Sequence, residues 1–368
     1  RRGAVVRALL NPKGEWMLTQ LPEVEGAMVA MEPRTGAVRA MVGGFAFSKS
    51  KFNHVTQAWR QPGSSFKPFI YSAALEKGYT AGTVVNDAPL FFSAEETGSQ
   101  PWEPKNYDGK FEGPMPLHTA LAKSKNMVSI RLLRETGPVF AQEWVENFGF
   151  ERDKHPAYLT MALGAGSVTP MQMATAYSVF ANGGFRVQPM LIQRVTDNKG
   201  RVLLETRPPE LDESLRALPA RNAFVIGTLL QEVARSGTAA RAQALLKRTD
   251  LYGKTGTTND SMDAWFAGFQ PGLTAVVWIG YDNPRKLGDR ETGGGLALPV
   301  WIEFMRHALK GVPVKELDAP EGVSREGDYW VFDEYSAGRG VGAVGLEDKI
   351  PSPTSDDERS GILDLFRR

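Results

Sequence analysis

Ser64-Ser65-Phe66-Lys67 sets a hydroxyl and an amine three residues apart. On a helix such positions share a face, so the Lys67 amine can approach the Ser64 hydroxyl. A free serine is a weak nucleophile and needs a base. With no suitably placed histidine, a desolvated lysine of lowered pKa is the available base. Pro68 follows, and its missing N–H is harmless only in a first helical turn. The helix start is therefore predicted near Ser64, where the positive end of the dipole favours a developing oxyanion. Lys67 conflicts with this, because the residue before a proline is biased away from helix.

Two further motifs could complete such a centre. Ser124-Lys125-Asn126 is a Ser-x-Asn, predicted in a polar loop between helices at Leu117–Ala122 and 127–135. Lys254-Thr255-Gly256-Thr257-Thr258 lies in a strand-like run. A strand period of two puts Thr255 and Thr257 on one face, offering two hydroxyls to an anion. Gly256 removes a side chain and lets another backbone approach. Lys254 points the other way and must reach the groove with its long arm. Taken singly, each motif has an ordinary reading: chance, a polar loop, a polar edge strand.

The elements that must position these residues follow from pattern and punctuation. Two apolar runs, 27–31 and 37–42, flank Glu32-Pro33-Arg34-Thr35-Gly36 and predict a hairpin. Gln61-Pro62-Gly63 breaks the chain before a helical run at 64–77, which Gly78 stops. Thr169-Pro170-Met171-Gln172 predicts a capping box that opens a helix closed by Gly183-Gly184. A second hairpin is predicted at 189–205, around Asp197-Asn198-Lys199-Gly200. A helix is predicted over 223–233, then β-rich runs at 251–258, 264–269 and 273–281, then an amphipathic helix at 299–309. Strands at both ends with helices between predict an α+β fold. One antiparallel sheet is assembled from distant pieces beside a helical half. Residues 1–26 read as an N-terminal linker and 347–359 as a solvated tail.

Composition narrows the function classes. The 368 residues are 42% hydrophobic and 23% charged, which excludes disorder, collagen and coiled coil as the main theme. Lys+Arg 43 against Asp+Glu 42 leaves no polyanion-binding character, so nucleic acid is not an expected partner. No cysteine is present, which removes thiolate nucleophiles and zinc-thiolate sites. His54, His118, His155 and His307 are scattered without metal-ligand spacing. No apolar run reaches the ~18 residues of a membrane span. The first residues lack the apolar core of a signal peptide.

Together and in this order, the three motifs resemble those of serine β-lactamases and penicillin-binding proteins. Residues 60–68, Asn106-Tyr107-Asp108-Gly109, Val168-Thr169-Pro170, Phe180-Ala181-Asn182-Gly183-Gly184 and 253–258 are similar to the transpeptidase domain of class A, bifunctional penicillin-binding proteins. The likeness covers roughly 25–312. It implies a penicilloyl-serine transferase fold: a five-stranded antiparallel sheet covered by helices, an all-helical half, and an active site in the groove between. The implied division is a linker at 1–26, a transpeptidase domain at 27–312 and a C-terminal extension at 313–368.

The resemblance implies a D,D-transpeptidase. Ser64 would attack the D-Ala-D-Ala bond of a peptidoglycan stem peptide and Lys67 would take its proton. Ser124 would relay a proton to the leaving amine, and Asn126 would hold the substrate amide. Lys254 would supply positive potential. Thr255 and Thr257 would grip the terminal carboxylate, with Gly256 and Thr258 completing the substrate-binding strand. The N–H groups of Ser64 and Thr257 would form the oxyanion hole. A neighbouring stem's amine would accept the acyl group, and β-lactam antibiotics would acylate the same serine. No cofactor or metal is implied. The expected location is the periplasmic face of a bacterial inner membrane. An N-terminal glycosyltransferase domain and membrane anchor are implied, and neither lies within these residues. Three rivals stand beside this reading. A class A β-lactamase would need a Glu-x-x-Leu-Asn element, which is not found between Asn126 and Lys254. A D,D-carboxypeptidase would use water as acceptor, and a non-catalytic penicillin sensor or scaffold would have lost a motif residue.

Overall fold

Glu25–Met31 pairs antiparallel with Val38–Val42, forming the predicted hairpin. Gly36 turns it at φ +76°, and a Cβ there would lie 2.0 Å from the Gln188 carbonyl oxygen, so this turn requires glycine. The structure, a computed structural model, describes residues 3–347. Its main sheet has five antiparallel strands in the order Val38–Val42, Glu25–Met31, Leu273–Gly280, Asp263–Gln270, Tyr252–Thr257. The order joins the first forty residues to the three β-rich runs near position 260, as the α+β reading requires. Tyr252–Thr257, which carries the Lys-Thr-Gly-Thr residues, is an edge strand.

Helices cover both faces of this sheet. Every residue of Asp263–Gln270 is buried, so its sequence does not alternate. The Leu298–Ala308 helix packs through Trp301, whose Nε1 donates to Ala275 O at 3.1 Å. The Pro170–Ala181 helix packs on the sheet through Ser178, which hydrogen-bonds Thr274 at 3.0 Å. That helix opens with the predicted capping box of Thr169 and Gln172. Lys67–Leu75 is buried at every residue, which marks it as the central helix of the helical half.

Three features differ from the sequence expectation. Residues 1–26 are not plain linker: Arg7–Leu10 pairs with Trp16–Thr19 in a hairpin exposed on both faces. Its apolar residues show no one-faced alternation because neither face is buried. A second, three-stranded sheet joins Tyr79–Asp87 to Gly113–Pro116 and Val341–Val344. Gly82 interrupts the first of these strands in sequence. The packing demands it, because a Cβ there would sit 2.3 Å from the Tyr329 hydroxyl. Val341–Val344 runs parallel to Tyr79–Asp87, and Phe332 and Val344 enter the main core, so the chain after 312 is built into the same body. Most of the predicted solvated tail lies outside the described residues. Among the described residues, no helix is long and apolar enough to cross a membrane.

Candidate active site

The Ser64 turn is held against the sheet by backbone contacts that only glycine permits. Gly63 sits at φ +56°, where a Cβ would meet Thr257 O at 2.5 Å. A Cβ on Gly256 would meet Pro62 O at 2.4 Å, which is the close approach its position in the motif predicts. Trp265 Nε1 donates to Gln61 O at 2.8 Å. Arg60 is paired with buried Asp263 at 2.7 Å, and Asp263 also accepts from Trp278 Nε1 at 2.8 Å. These contacts fix the breaker segment from one side and leave Ser64 half-buried at the groove.

Gly63–Phe66 is a short 3-10 turn that feeds the Lys67–Leu75 helix, with Pro68 in its first turn. Lys67 is helical, at φ −51° and ψ −40°, despite preceding a proline. Packing overrides the local bias: Phe66 stacks on His155 at 4.7 Å and meets Phe69 edge-on at 5.2 Å. The neighbouring Ser65 hydroxyl is buried and donates to Pro62 O at 2.7 Å, while its carbonyl accepts from Tyr177 at 2.7 Å. Ser65 is therefore a structural serine.

Ser124 lies between the Leu117–Ala122 and Asn126–Thr136 helices, as predicted. Its backbone is left-handed at φ +59°, a conformation unusual for a serine. This turn aims the Ser124 hydroxyl at two lysines. Lys254 Nζ donates to Ser124 Oγ at 2.8 Å and to Thr255 O at 3.1 Å. Lys67 Nζ donates to Ser124 O at 2.7 Å, to Asn126 Oδ1 at 2.7 Å and to Ser124 Oγ at 3.4 Å. The Ser64 hydroxyl is not among the Lys67 hydrogen-bond partners; the amine's donors are spent on Ser124 and Asn126.

Both lysines are wholly buried. Burial, and next the charge of Lys254, hold Lys67 well below the ordinary lysine range. Burial alone brings Lys254 down to about 7. Lys125, between the motif residues, faces elsewhere. Its Nζ pairs with Glu112 at 2.8 Å and Asp87 at 3.4 Å. Burial lowers its pKa, but the Glu112 hydrogen bond and nearby acids outweigh that and raise it.

A supporting layer escaped sequence reasoning. Asn106 Oδ1 accepts from Asn126 N at 2.8 Å, and Asn106 Nδ2 donates to buried Asp87 at 2.7 Å. Asn126 Nδ2 donates to Lys105 O at 2.7 Å, which leaves its Oδ1 turned toward Lys67. The signal was Asn106-Tyr107-Asp108-Gly109, legible as part of a resemblance but not as a role.

The edge strand carries the threonines. Thr255 Oγ1 lies 2.7 Å from Thr238 Oγ1, and Thr257 Oγ1 accepts from Gly293 N at 3.1 Å. Thr258 differs from these two: its hydroxyl is buried and accepts from Asp263 N at 2.9 Å, closing the turn after the strand. Neither Thr238 nor Gly293 was singled out in the sequence. Among the described residues no group of histidines and acids could hold a metal ion. The arrangement gathers two buried amines around one bridging hydroxyl, with half-buried Ser64 three residues before Lys67 and a threonine-bearing edge strand alongside, a set suited to acyl transfer.

Residues 26–305 match the family described as Penicillin binding protein transpeptidase domain. Penicillin-binding protein 1A of Neisseria gonorrhoeae is 49% identical over 343 residues, covering 93% of this chain and 43% of that protein. The protein of the same description in Pseudomonas aeruginosa is 42% identical over 367 residues, covering 87% of this chain and 44% of that protein. The chain thus spans less than half the length of the curated relatives it matches. Among solved structures, Penicillin-Binding Protein 1A from Haemophilus influenzae matches with a TM-score of 0.83 at 37% identity, covering 87% of this chain and 52% of that one. PonA1 from Mycobacterium tuberculosis, in complex with penicillin V, matches with a TM-score of 0.67 at 27% identity, covering 85% of this chain and 84% of that one. With a family match over three quarters of its length and a shared fold, the chain belongs to the penicillin-binding protein transpeptidase family.

Proposed function

We propose that this chain is the serine D,D-transpeptidase part of a peptidoglycan synthase. The observation that carries the reading is the Ser124 hydroxyl held between Lys67 and Lys254, with Ser64 in the turn that leads into the Lys67 helix. Ser64 Oγ attacks the carbonyl of the penultimate D-Ala of a stem peptide, and neutral Lys67 takes its proton. The N–H groups of Ser64 and Thr257 hold the oxyanion. The C–N bond breaks, and the terminal D-Ala leaves with a proton passed through Ser124. Asn126 holds the donor amide, while Lys254, Thr255 and Thr257 hold the terminal carboxylate; Gly256 and Thr258 shape the strand that carries them. The amine of a neighbouring stem then attacks the ester, forms the cross-link and frees Ser64. A β-lactam enters by the same first step and stays as an ester on Ser64. The transpeptidase domain is taken as 27–312, with the segment through Val344 packed onto it as part of the same body, at the periplasmic face of the inner membrane. A glycosyltransferase domain and an anchor would belong to the same full-length protein.

The test is product analysis with a donor pentapeptide and an amine acceptor. Cross-linked dimer that disappears in Ser64→Ala supports the reading. Trimmed tetrapeptide without dimer replaces it with a D,D-carboxypeptidase. Neither product, and no labelling by a fluorescent penicillin, replaces it with a scaffold.

A further inference from the structure

Thr238 follows the Ala220–Arg235 helix and is exposed at the groove. Its backbone N–H donates to Ala122 O at 3.0 Å. Gly237, just before it, is so close that a Cβ would lie 2.4 Å from the same oxygen. Ala122 ends the helix that leads to Ser124. On its other side, Thr238 Oγ1 lies 2.7 Å from Thr255 Oγ1. Thr238 therefore ties the Ser124 side of the groove to the edge strand.

The direction of this hydroxyl–hydroxyl bond decides what Thr255 can do. Each hydroxyl has one hydrogen and two lone pairs. If Thr255 donates to Thr238, it offers the groove only lone pairs, which repel a carboxylate. If Thr238 donates, the Thr255 hydrogen is free for the anion. Lys254 Nζ, 3.5 Å from Thr255 Oγ1, takes one lone pair of that oxygen; with Thr238 donating to the other, Thr255 has only its hydrogen left to offer. Thr257 shows the same pattern, because Gly293 N–H donates to its Oγ1 and leaves its hydrogen free.

We propose that Thr238 is a positioning residue for carboxylate recognition. It donates to Thr255 Oγ1 and turns the Thr255 hydrogen toward the terminal carboxylate of the acyl donor. The inference rests on the reading of Thr255 as a carboxylate contact.

The experiment compares benzylpenicillin with its methyl ester, which lacks the carboxylate charge. The readout is the ratio of their acylation rate constants, followed by intact mass. Thr238→Val keeps the shape and removes the donor, and is expected to lower the ratio about tenfold or more. Thr238→Ser keeps the donor and is expected to retain the ratio. In a Thr255→Val background, Thr238→Val is expected to change it no further. Thr238→Ala serves as the donor-free variant if Thr238→Val does not fold. A Thr255→Val that leaves the ratio unchanged overturns the carboxylate reading of Thr255 and the proposal with it. A Thr255→Val that lowers the ratio while Thr238→Val does not overturns the proposal alone. Equal slowing of penicillin and ester by Thr238→Val, or a further loss in the Thr255→Val background, also overturns it.

Discussion

Lys67 Nζ, from the central helix, and Lys254 Nζ, from the edge strand, both lie within hydrogen-bond distance of the Ser124 hydroxyl, at 3.4 and 2.8 Å. Two ammonium groups this close and this buried disfavour a shared positive charge. Lys67 has the further burden of Lys254's charge, which lowers its pKa beyond what burial alone does. Lys67 is thereby biased toward the neutral amine. That is the state in which it would serve as the base of the proposed mechanism, with Lys254 as the cation that attracts a carboxylate.

The pH profile of acylation is expected to show this division. Below about 7, Lys254 is protonated; above it, the groove loses its cation. The second-order rate constant for penicillin acylation should therefore fall as pH rises through about 7. Lys254→Arg should acylate more slowly but without that descending limb, because guanidinium keeps its charge. A limb that persists unchanged in Lys254→Arg assigns it to another group.

Lys67→Arg keeps the positive charge and loses the base. Acylation is expected to fall by about 10²–10⁴-fold, the usual contribution of a general base. Stopped-flow rates near those of the unmodified protein would reduce Lys67 to an electrostatic helper.

How far was this legible in the sequence? Ser64, Lys67, Ser124, Asn126, Lys254, Thr255 and Thr257 all carry local signals: a breaker before a helix, a loop between helices, a strand with its glycine. The structure brings the groups around Ser124 into hydrogen-bond contact. Thr238, Asn106 and Gly293 act through contacts with residues far away in the chain, and such contacts leave no local period. Val341–Val344 was missed for the same reason, since it pairs with a strand that begins at Tyr79. The left-handed backbone of Ser124 is set by the two helices it joins, and the helical backbone of Lys67 by the aromatic packing of Phe66.

His155 is buried against Phe66, with both ring nitrogens lacking a hydrogen-bond partner among the described residues. Burial lowers its pKa from 6.5 to about 4. The unfolded chain binds this proton more readily between those two values, so stability falls as pH drops from 6.5 toward about 4. The expected loss at this site is about 3 kcal/mol. Denaturant melts of His155→Phe should show a shallower acid limb. An identical limb in the variant would place the acid sensitivity elsewhere.

The acyl-enzyme is expected to persist for many minutes, because the chain lacks the Glu-x-x-Leu-Asn element that positions water in class A β-lactamases. Mixing with a chromogenic cephalosporin should give a burst of one equivalent and then silence. Sustained turnover would reveal a hydrolytic base and favour the β-lactamase reading.

The central claim is that Ser64 alone carries the acyl group, and peptide mapping after penicillin treatment tests it most directly. One adduct per chain is expected, on the peptide containing Ser64, fragmenting to Ser64 and absent from a folded Ser64→Ala protein. Ser65 should stay unmodified, because its hydroxyl is buried and bonded to Pro62 O. An adduct on Ser65 or Ser124, or one that survives Ser64→Ala, would contradict the account.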